Sequence, residues 1–273
     1  MIPSRLKKIV LFLFALLFFL SSAQVISILY NSRTQENAFD ELERTIAAGN
    51  TSLPDRMQEA DAEDGRPILP QFKEIYTQNP DFYGWLSIEE TNLSYPVMAT
   101  PEDPEYYLRR AFDQTYAVSG VPFLDGDCTE NSGNYLIYGH NMKNGTMFAP
   151  LLSYAEEAFW REHPTLRFDT LYETGTYAVI AAFYTEIAAS SSQNEFRYYQ
   201  YTDLNQAGVF DEYLQQVYAA ALYDTGVVAQ YPDSLLTLST CSDHTKNGRF
   251  VVVAVKQQSP ARNEFMILES DII

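Results

Sequence analysis

The sequence predicts a mostly β domain, an antiparallel barrel or sandwich, preceded and interrupted by helices. Two observations predict it. Eight short segments rich in β-branched and aromatic residues, WLSI, LSYPVM, GVPFLD, NYLIYGH, TLRFDT, TYAVIAAFYTEI, LLTLSTC and RFVVVAV, are separated by clusters of Gly, Pro, Asn and Asp. The 273 residues are also 46% hydrophobic and include 17 Phe and 20 Tyr, enough apolar material to bury a large core.

Each helical element has its own signal. Residues 31–49 read as a helix, with Ser32 or Thr34 as cap, Phe39, Leu42 and Ile46 on one face and Gly49 at the end. TSLPDRMQEADAEDGRP follows and is acidic and polar, the composition of a linker or solvated segment. A short helix starts near Pro70, carries Phe72, Ile75 and Tyr76 on one side and stops at Asn79-Pro80. Between the strands, PLLSYAEEAFWREHP puts Leu151, Leu152, Ala155 and Phe159 on one side. Residues 203–222 carry the stripe Phe210, Tyr213, Leu214, Val217, placed before the cysteine-bearing strand where a helix could cover a groove.

The formal charge of −18, from 18 basic and 36 acidic residues, argues against a nucleic-acid partner. The basic residues Arg5, Lys7 and Lys8 precede the apolar run IVLFLFALLFFL, which weakens through SSAQVISILY. As a helix, residues 9–30 extend about 33 Å at 1.5 Å per residue, enough for a bilayer core. The same segment reads as a cleaved secretory signal, with Ser21, Ser22 and Ala23 at the cleavage site. Either way the positive-inside rule puts the rest of the chain outside the cell.

The chain has two cysteines, and in an oxidising compartment a pair is by default a candidate disulfide. Cys128 sits in the loop-like DGDCTENSG, whereas Cys241 closes an alternating run and is aimed by a strand end. A nucleophilic thiol needs a proton-transfer partner and a cation. Of three histidines, His244 lies in a turn-forming stretch and reads as a solvated loop residue, and His163 ends a helix beside Pro164. His140 directly follows a strand, at the rim position from which a barrel presents reactive groups. Arg249 lies beyond the turn SDHTKNG, so that it and Cys241 can fall on adjacent antiparallel strands. Its guanidinium suits an oxyanion, or else a salt bridge to one of the surplus carboxylates.

TLSTC with Arg249, and YLIYGHNMKNGTMF around His140, resemble the cysteine and histidine signatures of the sortases, and specifically of class B. GWLSIEETNLSYPVM, EYYL and GVPFLD resemble the same class, so the likeness covers roughly residues 70–256. It implies an eight-stranded sortase-type β-barrel with N-terminal helices and a helix in the long loop before the cysteine strand. It also favours an uncleaved anchor. The expected organisation is a cytoplasmic tail at 1–8, a transmembrane anchor at 9–30, an N-terminal helix and acidic linker at 31–66, and an extracellular catalytic domain at 67–273.

The resemblance further implies a cysteine transpeptidase. Cys241 attacks the carbonyl after the threonine of a sorting motif in a secreted protein, His140 moves the protons, and Arg249 stabilises the oxyanion. A peptidoglycan amine then releases the thioacyl intermediate, and no metal or organic cofactor is expected. Leu108, Ser239, Thr240 and Asp243 are candidate substrate-binding residues. Class B members often carry Asn where this chain has Pro104, which bears on substrate contact. Other readings are a pilin-polymerising class B enzyme and a non-catalytic surface domain closed by a Cys128 to Cys241 disulfide. An L,D-transpeptidase fits poorly, because STC lacks the His and Gly expected just before its cysteine.

Overall fold

A computed structural model describes residues 4–51, 65–187, 196–245 and 247–258. The chain divides into two units, residues 1–44 and 45–273. The first unit is helical. Helix α1, Ser4–Thr51, is continuous, so the apolar run and the helix expected over 31–49 are one element. Among the described residues no helix is long and apolar enough to cross a membrane, so the span expected over residues 9–30 is not supported. The side chains of residues 9–10 and 27–30, at the two ends of that span, lie outside the described residues, as does most of the acidic linker, 52–64.

The second unit is built on eight strands, one for each segment expected: β1 Phe82–Ser87, β2 Ser94–Met98, β3 Phe123–Leu124, β4 Asn134–Tyr138, β5 Thr165–Thr170, β6 Thr176–Glu186, β7 Leu235–Cys241 and β8 Gly248–Lys256. They close into a barrel in the order β1-β2-β3-β4-β7-β8-β6-β5. The barrel is not wholly antiparallel. Strands β2 and β3 pair in parallel, and so do β4 and β7, from Asn134 opposite Leu235 to Tyr138 opposite Ser239. A parallel pair needs a long crossover, and the chain between β4 and β7 supplies one that contains β5, β6 and a helix over residues 207–220.

The short helix expected near Pro70 forms as a 3-10 turn, Pro70–Phe72, running into α2, Lys73–Gln78, and ends at Asn79. The helix expected in PLLSYAEEAFWREHP divides into a 3-10 segment, Ala149–Ala155, and α3, Glu157–Glu162, with Glu156 extended between them. Three residues per turn superimpose Leu151 and Tyr154, and both are buried. Helix α4, Ala207–Ala220, buries the expected stripe Phe210, Tyr213, Leu214 and Val217. The Tyr213 hydroxyl hydrogen-bonds Thr237 Oγ1 at 2.7 Å, so the helix packs near the start of β7 and leaves the groove to other residues.

The barrel closes at the β1–β5 seam, where a Cβ on Gly84 would lie 2.4 Å from the Asp169 carbonyl oxygen. Gly84→Ala is therefore expected to cost about 1–3 kcal/mol through backbone displacement. Chemical denaturation should show a lower midpoint at unchanged slope; an unchanged midpoint would contradict this account of the seam.

Candidate active site

Thr237, Ser239 and Cys241 share one face of β7 because side chains alternate along a strand. Helix α4 meets the first through Tyr213. A 3-10 turn, Tyr198–Gln200, meets the second, with a hydrogen bond of 2.6 Å between the Tyr198 and Ser239 hydroxyls. The third is exposed, so this face changes from covered to open at the thiol. On the opposite face Leu236 and Leu238 enter the core and Thr240 donates to the Gly139 carbonyl at 2.8 Å.

Arg249 is the direct antiparallel partner of Cys241. The turn between them is closed by Ser242 N–H donating to the Gly248 carbonyl at 2.9 Å and Gly248 N–H to the Thr245 carbonyl at 3.1 Å. Arg249 is half-buried, and its guanidinium donates to its own neighbour's carbonyl, Gly248, at 3.0 Å. Among the described residues it enters no ion pair, so the rim salt bridge considered for it is not made.

His140 arrives on the neighbouring strand. Tyr138 pairs with Ser239, so two residues further on His140 stands level with Cys241. Its backbone is fixed by Gly139 N–H donating to the Ser239 carbonyl at 3.1 Å and by its own carbonyl accepting from Phe148 N–H at 2.9 Å. Gly139 has to be glycine, since a Cβ there would lie 2.5 Å from the Phe148 ring. The ring's Nε2 lies 2.9 Å from the Leu108 carbonyl oxygen. Burial lowers the His140 pKa from the usual imidazole value, the Leu108 carbonyl pulls it back in part, and the Arg109 charge lowers it again.

His140, Cys241 and Arg249 line one groove of about 500 Å³ with Leu108, Ser239 and Thr240. Asp243, expected beside them, is not among its lining residues and is exposed on the turn after Cys241. His244 is exposed on the same turn, bonded to Ser242 Oγ at 2.9 Å, as its loop context indicated. His163 caps the end of α3 and is not among the residues that line the groove. The sequence reading missed Tyr198, Tyr199 and Ile187, which form one wall, and Glu105, Asp125 and Asp127, which bring carboxylates to the groove. The aromatic run FRYYQY was the one local signal for the first of these. Pro104 lines the groove too, its ring where a Cβ on Gly126 would lie 2.4 Å away, so the position that is often Asn in class B here packs against a glycine.

The two cysteines are both free, so the Cys128 to Cys241 disulfide is not formed and the non-catalytic domain built on it is not supported. Cys128 is buried behind β4, with Leu136 N–H directed at its sulfur at 3.5 Å, and burial pushes its thiol up to about 12.

A model of the sortase domain matches residues 86–257. Sortase B of Listeria monocytogenes is 33% identical over 190 residues, covering 68% of this chain and 73% of that protein. Among solved structures, a Staphylococcus aureus sortase B-substrate complex is similar at a TM-score of 0.66 and 23% identity, covering 82% of this chain and 94% of that one. A sortase B complexed with triglycine is similar at a TM-score of 0.69 and 23% identity, covering 83% and 99%.

The exposures of the two thiols predict a selective reaction. Brief iodoacetamide treatment of the native chain should add one label, at Cys241, and unfolding should admit a second at Cys128. Equal labelling of both in the native chain would show that Cys128 is not enclosed as described.

Proposed function

The chain belongs to class B of the sortase family of cysteine transpeptidases, and from that premise we propose that Cys241, His140 and Arg249 carry out transfer of a sorting-motif acyl group to a cell-wall amine. The observation that carries this is the pairing of Cys241 with Arg249 at the open end of β7, with His140 level beside it in the same groove.

The Cys241 sulfur attacks the carbonyl after the motif's threonine as its proton passes to His140. The tetrahedral oxyanion is stabilised by Arg249, whose fixed fork of donors suits a developing charge. Collapse breaks the peptide C–N bond, and the imidazolium of His140 gives its proton to the departing amine. A thioester on Cys241 remains. An incoming amine, deprotonated by His140, attacks it, forming an amide and returning the thiol. The groove walls from Leu108, Tyr198 and Tyr199 hold the motif. The substrate complex of the Staphylococcus aureus protein supports a peptide substrate, and the triglycine complex supports an amine acceptor. The peptidoglycan amine as acceptor follows the same family reading, and a pilin-polymerising enzyme of the same class is the second reading.

A place at the cell surface, held at the membrane by the apolar part of α1, fits this reaction. Leu11, Phe12, Leu13 and Phe14 are all exposed, and at about 100° per residue they point to four sides of the helix. The domain organisation expected above, with the catalytic domain at 67–273, is part of the same proposal.

Mass spectrometry of the full chain incubated with sorting-motif peptides should find a peptide adduct on Cys241 that an added amine discharges. Cys241→Ala should abolish adduct and transfer, and transfer retained in that variant would end the reading. Arg249→Lys keeps the charge but loses the fork, and is expected to reduce kcat by roughly 100-fold. Because neutral His140 is the form that accepts the thiol proton, kcat/KM should fall as pH drops, with the inflection below 6.5, the direction set by burial. An inflection above 6.5 would mean that another group controls the acid limb.

A further inference from the structure

A histidine that moves protons in two directions needs its ring held in one orientation and one tautomer, and in many such sites a carboxylate does this. Here the group at hydrogen-bond distance from Nε2 is a main-chain carbonyl, that of Leu108, at 2.9 Å. A carbonyl oxygen only accepts, so Nε2 carries the hydrogen and the lone pair of the neutral ring lies on Nδ1.

The carbonyl is itself held from two sides. Leu108 lies in the 3-10 turn Tyr106–Arg109, in the stretch EYYL. Beneath the turn, the fully buried Tyr107 donates its hydroxyl proton to Asp81 Oδ2 at 2.8 Å and accepts from Asn79 Nδ2 at 2.8 Å. Asn79 also donates to the Phe112 carbonyl at 2.6 Å. Asn79 and Asp81 stand at the junction of α2 and β1, outside the groove lining. Above the turn, Gly120 at φ +58° comes so close to the carbonyl oxygens of Tyr107 and Leu108 that a Cβ would lie 2.6 Å from each. Val121 N–H donates to the Tyr107 carbonyl at 3.2 Å.

We propose that the turn Tyr106–Arg109, pinned by Tyr107 to Asn79 and Asp81 and seated on Gly120, is the positioning device for His140, with the Leu108 carbonyl fixing the Nε2–H tautomer. Tyr107 and Gly120 are thus positioning residues, remote from the reacting atoms. Leu108 has two separable tasks: its side chain lines the groove and its carbonyl orients the imidazole. Being uncharged, that carbonyl orients the ring while favouring its protonated form only enough to offset part of the effect of burial, which suits a group that must accept a proton first. The proposal rests on His140 being the proton-transfer group of the reaction above.

The test reads the tautomer directly. Long-range ¹H–¹⁵N correlation spectra of the full chain with ¹⁵N-labelled histidine, recorded where His140 is neutral, should show hydrogen on Nε2. Leu108→Ala keeps the carbonyl, so it should leave the tautomer unchanged and raise KM for the peptide. Tyr107→Phe and Gly120→Ala disturb the turn from its two sides. Each should mix the tautomers and lower kcat by roughly 10- to 100-fold, the range for loss of an orienting partner. Hydrogen on Nδ1 in the unmodified chain would overturn the proposal, as would an unmixed Nε2–H signal in both folded turn variants. The unmodified chain's spectrum decides even if neither variant folds. Absence of a peptide adduct beside an Nε2–H signal would count against the reaction and not against the positioning device.

Discussion

The parallel pairing of β4 with β7 is the constraint on which the site depends. Parallel strands deliver their C-terminal ends to the same edge, and neighbouring strands lie about 4.8 Å apart. Five ladder positions, extended by the Gly139 to Ser239 hydrogen bond, therefore carry His140 and Cys241 to the same rim at the same height. Antiparallel pairing of the same two strands would put the histidine and the thiol at opposite ends of the barrel. The β7–β8 hairpin then returns the chain so that Arg249 faces Cys241. Three residues scattered over more than a hundred positions of sequence become neighbours through backbone hydrogen bonds alone, before any side-chain contact between them is considered.

Covering one face of β7 in stages does the rest. Thr237 and Ser239 are hydrogen-bonded to tyrosines that enclose them, and the cover stops one step before the thiol. Cys128 shows the opposite outcome of the same chemistry: buried behind β4 and close to Asp125 and Asp127, its sulfur is held as a neutral thiol. A free thiol that is enclosed and uncharged is neither a ready nucleophile nor a ready partner for oxidation.

Much of this was legible in the sequence because the signals were local. Eight strands stood out through β-branched and aromatic runs between turn residues, and the stripe of α4 through its spacing. His140, Cys241 and Arg249 could be singled out since each adjoins a strand. Strand order was not legible: parallel and antiparallel partners differ in long-range contacts, which a run such as NYLIY does not encode. The split of residues 149–162 was hidden because a spacing of three between Leu151 and Tyr154 serves a 3-10 turn as well as an α-helix. Asp125 and Asp127 could not be distinguished among 36 acidic residues. Nearness along the chain to Cys241 suggested Asp243, but proximity in sequence does not bring a turn residue into the groove, and Asp243 is not among the residues that line it.

The closed order of the strands has a consequence for how a peptide is recognised. A sheet with an open edge can capture an extended chain by adding it as a further strand, reading its backbone with little regard to sequence. In this barrel β1 pairs with β5, so the strand order has no terminal member, and β7, which carries the thiol, is flanked on both sides, by β4 and by β8. An incoming segment therefore finds no free edge on β7 to extend. Its discrimination must come from side chains and turn carbonyls around the groove mouth, so selectivity can change through loop replacement while the barrel and its chemistry stay as they are.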